Sequence, residues 1–213
     1  MTKTRLEAFS DGVIAILITI MVLELGTPHG SDLAALGPLV PVLTAYLLSF
    51  VFLGIYWVNH HHLFQAAKHV DGRVLWANMH LLFWLSLVPF ATAWMGENAF
   101  AAVPVAAYGF VLLMCAVAFT LLVTALIAHE GRDASTIAQA IGSDVKGRAS
   151  LVAYVVATPL ALVLPALAFG IYVAVAMIWF VPDRRFERQI EHEAHAAGSG
   201  AARLHGDTAE HGE

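Results

Sequence analysis

Charged side chains are scarce in this chain of 213 residues. Asp, Glu, Lys and Arg together make up 13% of the sequence, whereas soluble domains have about 25%. Hydrophobic residues account for 59%, and the mean hydropathy is +0.73. This composition excludes an ordinary soluble domain and predicts an integral membrane protein.

Cysteine and the short motifs of enzymes are also missing. Cys115 is the single cysteine, so no intramolecular disulfide can form, and its apolar surroundings suggest no thiol chemistry. The sequence contains no phosphate-binding glycine loop, nucleophile elbow or paired-carboxylate motif. We therefore expect no enzymatic activity, no cofactor, no nucleotide-driven transport and no nucleic-acid partner.

What the chain does have is a series of long apolar runs. About 20 apolar residues cross the hydrocarbon core of a bilayer. By that rule the sequence predicts spans near 5–25, 37–62, 73–96 and 100–128, followed by one tract from 149 to 182.

The last tract is too long for one span. As a single helix it would measure about 50 Å, against a hydrocarbon core of about 30 Å. Pro159 and Pro165 interrupt the tract, and proline is favoured where a helix begins. The sequence therefore predicts two short helices with a turn near Leu164–Pro165, and six spans in all.

The positions of the basic residues predict the orientation. With six spans, every lysine and arginine falls on the side of the amino terminus, and the other side carries only Glu24, Asp32 and Glu97. Because cytoplasmic segments are enriched in Lys and Arg, we expect both termini to be cytoplasmic. The prediction is an all-α protein of the cell inner (plasma) membrane. Its six-helix transmembrane domain occupies residues 1–182, and a polar, partly disordered cytoplasmic tail occupies 183–213.

A polar motif stands at the beginning of the first span. Arg5 is followed by Phe9, Ser10 and Asp11, and an almost purely aliphatic helix comes next. Ionisable groups at the edge of a bilayer are costly to bury, so they are candidates for functional or network-forming residues. The pattern Arg-x-x-x-Phe-Ser-Asp resembles the signature of the transmembrane protein 175 family, potassium-permeable channels of lysosomes and prokaryotic membranes.

The resemblance covers residues 5 to 180, with weaker support from residues 56–61 and 87–93. Animal members are similar to two fused six-helix units, whereas this chain has the single unit of prokaryotic members. A single unit must oligomerise to close a central pore. The resemblance implies a homotetramer whose pore is lined by the first helix and passes K⁺, with other monovalent cations passing less well.

One face of the first span provides the candidate pore residues. Phe9, Ile16, Ile20 and Leu23 lie at offsets of 0, 7, 11 and 14, which repeat one helical face, and Thr19 lies beside it. The resemblance assigns the constriction to Ile16 and further rings to Ile20 and Leu23. The chain has no Thr-Val-Gly-Tyr-Gly filter, so ions would be sieved by an apolar ring through its diameter and dewetting. Ordinary packing or lipid contact would give the same spacing.

The motif also predicts a structural network. Ser10 and Asp11 are good helix caps, but the residues before them already favour helix, so Asp11 needs a polar partner elsewhere. The candidates lie at the cytoplasmic ends of the second and third spans. The expected helix-bracing network comprises Arg5, Phe9, Ser10, Asp11, Asn59, His60, Asn78 and His80.

The histidines leave an alternative open. His60, His61 and His62 point about 100° apart on one helix and cannot converge on one ion, so we expect no metal site. Histidine titrates near neutral pH, and a relay through His60, His80 and Asp11 would suit a proton-coupled or proton-conducting transporter. A scaffold protein is a third possibility. The function that the motif favours is that of a passive potassium-selective channel.

Overall fold

The computed structural model describes residues 2–130, 137–138 and 144–180, and all regular structure in those residues is helical. The elements are α1 (Lys3–Leu23), a 3-10 helix (Leu33–Leu39), α2 (Val40–Ala66), α3 (Gly72–Ser86), α4 (Val88–Glu97), α5 (Ala102–Glu130), α6 (Val145–Leu160) and α7 (Pro165–Phe180). The predicted all-α fold is confirmed. The tail predicted over 183–213 lies outside the described residues.

Four helical stretches in the described part are long and apolar enough to cross a membrane. They are Lys3–Leu23, Leu33–Ala66, Gly72–Glu97 and Ala102–His129. These stretches coincide with the first four spans that the sequence predicts. The second begins earlier than predicted because a 3-10 turn, capped by the Asp32 carboxylate on the Ala35 N–H, leads into α2.

The last apolar tract divides where proline predicts. α7 begins at Pro165, directly after a turn at 161–164, whereas Pro159 lies in the last turn of α6 instead of interrupting the tract. α6 and α7 have 16 residues each, which gives about 24 Å per helix. That length is less than the hydrocarbon core of about 30 Å, so the count of six spans stays a prediction.

The third span, which the sequence predicts over 73–96, contains a break between α3 and α4. It breaks at Leu87, whose N–H bonds back to the carbonyls of Leu85 and Trp84 and so ends α3. Pro89 follows in the first turn of α4. Because proline has no N–H to continue the helical ladder, the chain restarts as a new helix there.

Packing places α1 at the margin of a bundle. α5 is the central helix and contacts α3, α4, α6 and α7. α1 packs against α2, α3 and α4. One face of α1 is therefore covered by its own chain, and the opposite face is not.

Candidate pore face and its supporting network

The buried face of α1 repeats with helical spacing. Leu6, Ser10, Ile14, Leu17 and Met21 are all buried. Four of the five are aliphatic or thioether side chains, and Ser10 is the exception. This face therefore fixes α1 to its own bundle through apolar packing with a single hydroxyl inside it.

The predicted pore residues lie on the uncovered face. Phe9 is 46% exposed, Ile16 56%, Ile20 39% and Leu23 78%. Thr19 is exposed beside them, and its hydroxyl donates to the Ile16 carbonyl oxygen at 2.9 Å. The hydroxyl is therefore held on the helix backbone, and the large side chains among the predicted pore residues are all apolar.

A chain of hydrogen bonds joins the buried face of α1 to α3 and α2. The Ser10 hydroxyl donates to the Leu6 carbonyl at 2.9 Å and accepts from the Asn78 amide at 2.9 Å. The Asn78 side-chain oxygen lies 2.8 Å from His60 Nε2. Because an amide oxygen can only accept, His60 must donate from Nε2.

The three side chains that these hydrogen bonds join are all buried: Ser10 and Asn78 are completely buried, and His60 is 1% exposed. Buried polar groups in a membrane protein must find partners within the protein. The Ser10–Asn78–His60 chain meets that requirement and links three helices near the motif. The structure thus brings together three residues that the sequence places in the bracing network.

Asp11 has a partner that the sequence reading missed. Trp57 Nε1 donates to Asp11 Oδ1 at 3.0 Å, which joins α1 to α2. Trp57 is 42% exposed, so the pair lies at the edge of the bundle and not in its core. An indole N–H inside an apolar run looks like any membrane aromatic, which is why composition gave no sign of this role.

The other predicted network residues lie elsewhere. Asn59 donates to the Ile55 carbonyl of its own helix, and His80 accepts from Trp84 Nε1. Asn59 is one position from His60 and His80 is two from Asn78, so helical rotation turns both away from the network. Arg5, like Phe9, is exposed in the single chain.

Two further contacts tie the helix ends together on the side of the motif. Lys3 Nζ donates to the Ala67 carbonyl at 2.8 Å, where a cation suits the carboxyl end of α2. Asp71 caps α3 through the N–H groups of Arg73 and Val74 and lies 3.4 Å from His129 of α5. The hydrogen bond from the Val74 N–H, with smaller contributions from the nearby His129 and Arg73 side chains, lowers the pKa of Asp71 despite an opposing desolvation effect.

Among residues 2–130, 137–138 and 144–180, no group of three or more His, Cys, Asp or Glu side chains has the arrangement of a metal site. What the geometry offers is an apolar exposed face, from Phe9 to Leu23, on a helix whose opposite face packs against α2, α3 and α4. Several copies meeting through such faces would enclose a narrow apolar passage.

Comparisons with known proteins agree with the family resemblance that the motif suggests. The family model described as endosomal/lysosomal potassium channel TMEM175 matches residues 5–89. A protein named a potassium channel from Chryseobacterium is 52% identical over 191 residues, which cover 90% of this chain and 99% of that protein. A potassium channel of Streptomyces collinus is 38% identical over 123 residues, covering 54% and 60% of the two chains.

Animal relatives match over a shorter stretch. The mouse protein named endosomal/lysosomal proton channel TMEM175 is 32% identical over 131 residues, which are 56% of this chain and 26% of the mouse protein. The match therefore spans about a quarter of the animal protein's length.

A solved structure has the same fold. It is the lysosomal potassium-selective channel TMEM175 homologue from Chamaesiphon minutus, with a TM-score of 0.71 and 30% sequence identity. The alignment covers 85% of this chain and 97% of that one. With near-complete coverage of a relative at 52% identity and this shared fold, the chain belongs to the TMEM175 family of membrane channels.

Proposed function

We propose that this protein is a passive potassium-selective channel. The observation that carries the proposal is the uncovered face of α1, which is apolar from Phe9 to Leu23 and follows directly on the family motif. Bacterial relatives that match this chain are named potassium channels. A passive pore also agrees with the lack of any nucleotide-binding motif in the sequence.

The proposed pore forms between copies of the chain, in a homotetramer. α1 of each subunit contributes Ile16 as the constriction, with Ile20 and Leu23 as further rings and Thr19 beside them. An apolar ring strips water from an ion, and its diameter and wettability set the barrier. Potassium holds its hydration water less tightly than sodium, so the ring opposes potassium less.

The motif residues and their partners support the proposed pore from the buried side of α1. Ser10, Asn78 and His60 hold the buried face of α1 against α3 and α2, while Asp11 and Trp57 add a second link. A ring selects ions by diameter only if its walls cannot move apart. The proposed role of these residues is therefore structural rather than ion-binding.

In the proposed topology the protein crosses a bacterial inner membrane six times, and both termini lie in the cytoplasm. The support is the segregation of all Lys and Arg residues onto one side of the six-span layout. Reporter fusions after Glu213 and within residues 28–35, which precede α2, test it. Cytoplasmic signal from the carboxyl terminus and external signal from residues 28–35 are expected, and an external carboxyl terminus would overturn the six-span count.

Ion flux into liposomes that contain the purified protein tests the function. We expect potassium flux that follows its gradient without added energy and that exceeds sodium flux. Potassium flux that is strictly coupled to proton flux would show that the protein is a transporter and not a channel. An absence of ion flux would favour a scaffold role.

Proton conduction is the second candidate, because the mammalian relatives are named proton channels. In this chain, Asp11 bonds to Trp57, His60 to Asn78 and His80 to Trp84. The three members of the predicted relay thus have different partners. A pH-sensitive dye in the same liposomes distinguishes the cases, since proton current that persists without potassium would favour this candidate.

A further inference from the structure

A cavity of about 150 Å³ lies between α2, α5, α6 and α7. Its walls include Phe52 and Ile55 of α2, Phe119 of α5, and Tyr154 of α6. No residue of α1 lines it. The cavity is therefore separate from the candidate pore face.

The lining changes from apolar to polar along the helices. Phe52, Ala116 and Tyr154 lie near the middle of α2, α5 and α6. Lys146 lies in the first turn of α6 and Trp179 in the last turn of α7, at the same end of this antiparallel pair. An apolar interior with a polar mouth at the helix ends is the distribution that a membrane lipid has along its own length.

The polar mouth is built by specific contacts. Trp179 Nε1 donates to Ser150 Oγ at 2.8 Å, and the Ser150 hydroxyl donates to the Lys146 carbonyl at 2.8 Å. Lys146 Nζ lies 6.0 Å from the centre of the Trp179 ring. Lysine and tryptophan are the residues that proteins place at the lipid headgroup level.

The mouth carries one charge of each sign, the Asp144 carboxylate and the Lys146 ammonium, and of the two only Lys146 can attract a phosphate. The Asp144 carboxylate accepts from the Gly147 N–H at 3.1 Å, so the positive end of the α6 dipole partly compensates its negative charge. Lys146 supplies an ammonium group at the same mouth. The buried Ser150 oxygen adds a second polar group within the cavity.

Size limits how much of a lipid can enter. A cavity of roughly 150 Å³ holds a benzene-sized apolar group. Such a volume takes a segment of one acyl chain, and the remainder of the lipid stays in the bilayer.

We propose that this cavity is a binding site for an anionic phospholipid. The phosphate lies at Lys146, and the beginning of one acyl chain lies between Phe52, Phe119 and Tyr154. Asn59 also lines the cavity, and it is adjacent on α2 to His60 of the bracing network. The bound lipid thus contacts the helix that supports α1, although its binding does not depend on the proposed ion conduction.

Native mass spectrometry of the detergent-solubilised full chain tests the site. The probes are dioleoylphosphatidylglycerol, dioleoylglycerol with the same chains and no phosphate, and inorganic phosphate. We expect phosphatidylglycerol to be retained over dioleoylglycerol. Lys146→Gln should lower its retention about fivefold, the order expected for one lysine near an anionic headgroup. Arg148→Gln, an exposed cation on the same helix, should not.

A second pair of variants tests the cavity itself. Ala116→Phe fills it and should lower retention of both lipids, whereas Ala128→Phe, exposed on the same helix, should leave retention unchanged. Three outcomes would each overturn the proposal. The two lipids could be retained equally, Lys146→Gln and Arg148→Gln could lower retention equally, or Ala116→Phe could leave retention unchanged. Displacement by equimolar inorganic phosphate would overturn it too, by identifying free phosphate as the ligand. If Ala116→Phe does not fold, the headgroup comparison and the Lys146 pair decide.

Discussion

The two faces of α1 have similar composition but different surroundings. Ile14 is completely buried against the bundle, whereas Ile16, two residues later, is more than half exposed. Both side chains are isoleucine, so hydropathy cannot distinguish them. What separates them is that α2, α3 and α4 cover only one side of the helix. The apolar periodicity of a membrane helix thus marks candidate faces, and the packing decides which face is left for other copies.

The largest effect on stability should come from the buried face. Ile14→Ala removes a fully buried side chain, and such truncations cost about 2–5 kcal/mol through lost contacts and the cavity left behind. Ile16→Ala is the matched control and should stay within about 0.5 kcal/mol, as exposed substitutions do. Unfolding midpoints in detergent measure both, and equal losses would contradict the assignment of the two faces.

The next effect should come from the polar chain behind α1. Asn78→Leu leaves the His60 Nε2–H without its acceptor in a buried position, which costs about 1–3 kcal/mol. Asn98→Leu is the control, because the Asn98 side chain is exposed and, among the described contacts, bonds only to the Trp94 carbonyl one turn earlier. A double-mutant cycle with Ser10→Ala should reveal coupling between positions 10 and 78, since they share a hydrogen bond. Strictly additive losses would argue against the network.

Asp11 should have a smaller effect than a buried residue, because its bond to Trp57 lies at the edge of the bundle. Asp11→Ala and Trp57→Phe should each cost about 0.5–1.5 kcal/mol, the net value of one hydrogen bond. Asp11→Asn keeps the acceptor and should retain both stability and conduction. If Asp11→Asn folds normally but conducts no potassium, the carboxylate acts on the ion and its structural role is wrong.

The sequence was sufficient for the positions of the helices but not for all their breaks. Long apolar runs located the first four spans, and Pro165 located the turn before α7. The break at Leu87 carried the same kind of signal in Pro89, yet a hydropathy rule passes over it because both flanking segments are apolar. Pro89 and Pro165 therefore mark helix starts that hydropathy misses, whereas Pro159 lies inside α6 and marks none.

The site was predictable where residues were polar and unpredictable where they were not. Ser10, His60 and Asn78 stand out as polar groups in apolar helices, and the structure joins them. Neighbours such as Asn59 are equally polar, and only the rotation of the helix shows that Asn59 faces the cavity instead. Trp57 gave no signal, because tryptophan is common in membrane spans for reasons unrelated to any partner.

The uncovered face should respond least in stability and most in selectivity. Replacing Ile16 by Asn keeps a similar side-chain size and adds hydrogen-bonding groups to every subunit of the proposed ring. A more polar ring wets more easily, so sodium should pass more nearly as well as potassium. Val22→Asn is the control, since Val22 is 48% exposed on α1 but about 120° around the helix from Ile16.

Reversal potentials under potassium/sodium bi-ionic conditions test the central claim most directly. The account predicts that Ile16→Asn moves the reversal potential towards zero while Val22→Asn leaves it at the wild-type value. If Ile16→Asn has no effect but an Ile20 or Leu23 substitution does, the filter lies one or two turns further along α1. If substitutions at all three positions leave the reversal potential unchanged, the exposed face of α1 does not form the selective pore.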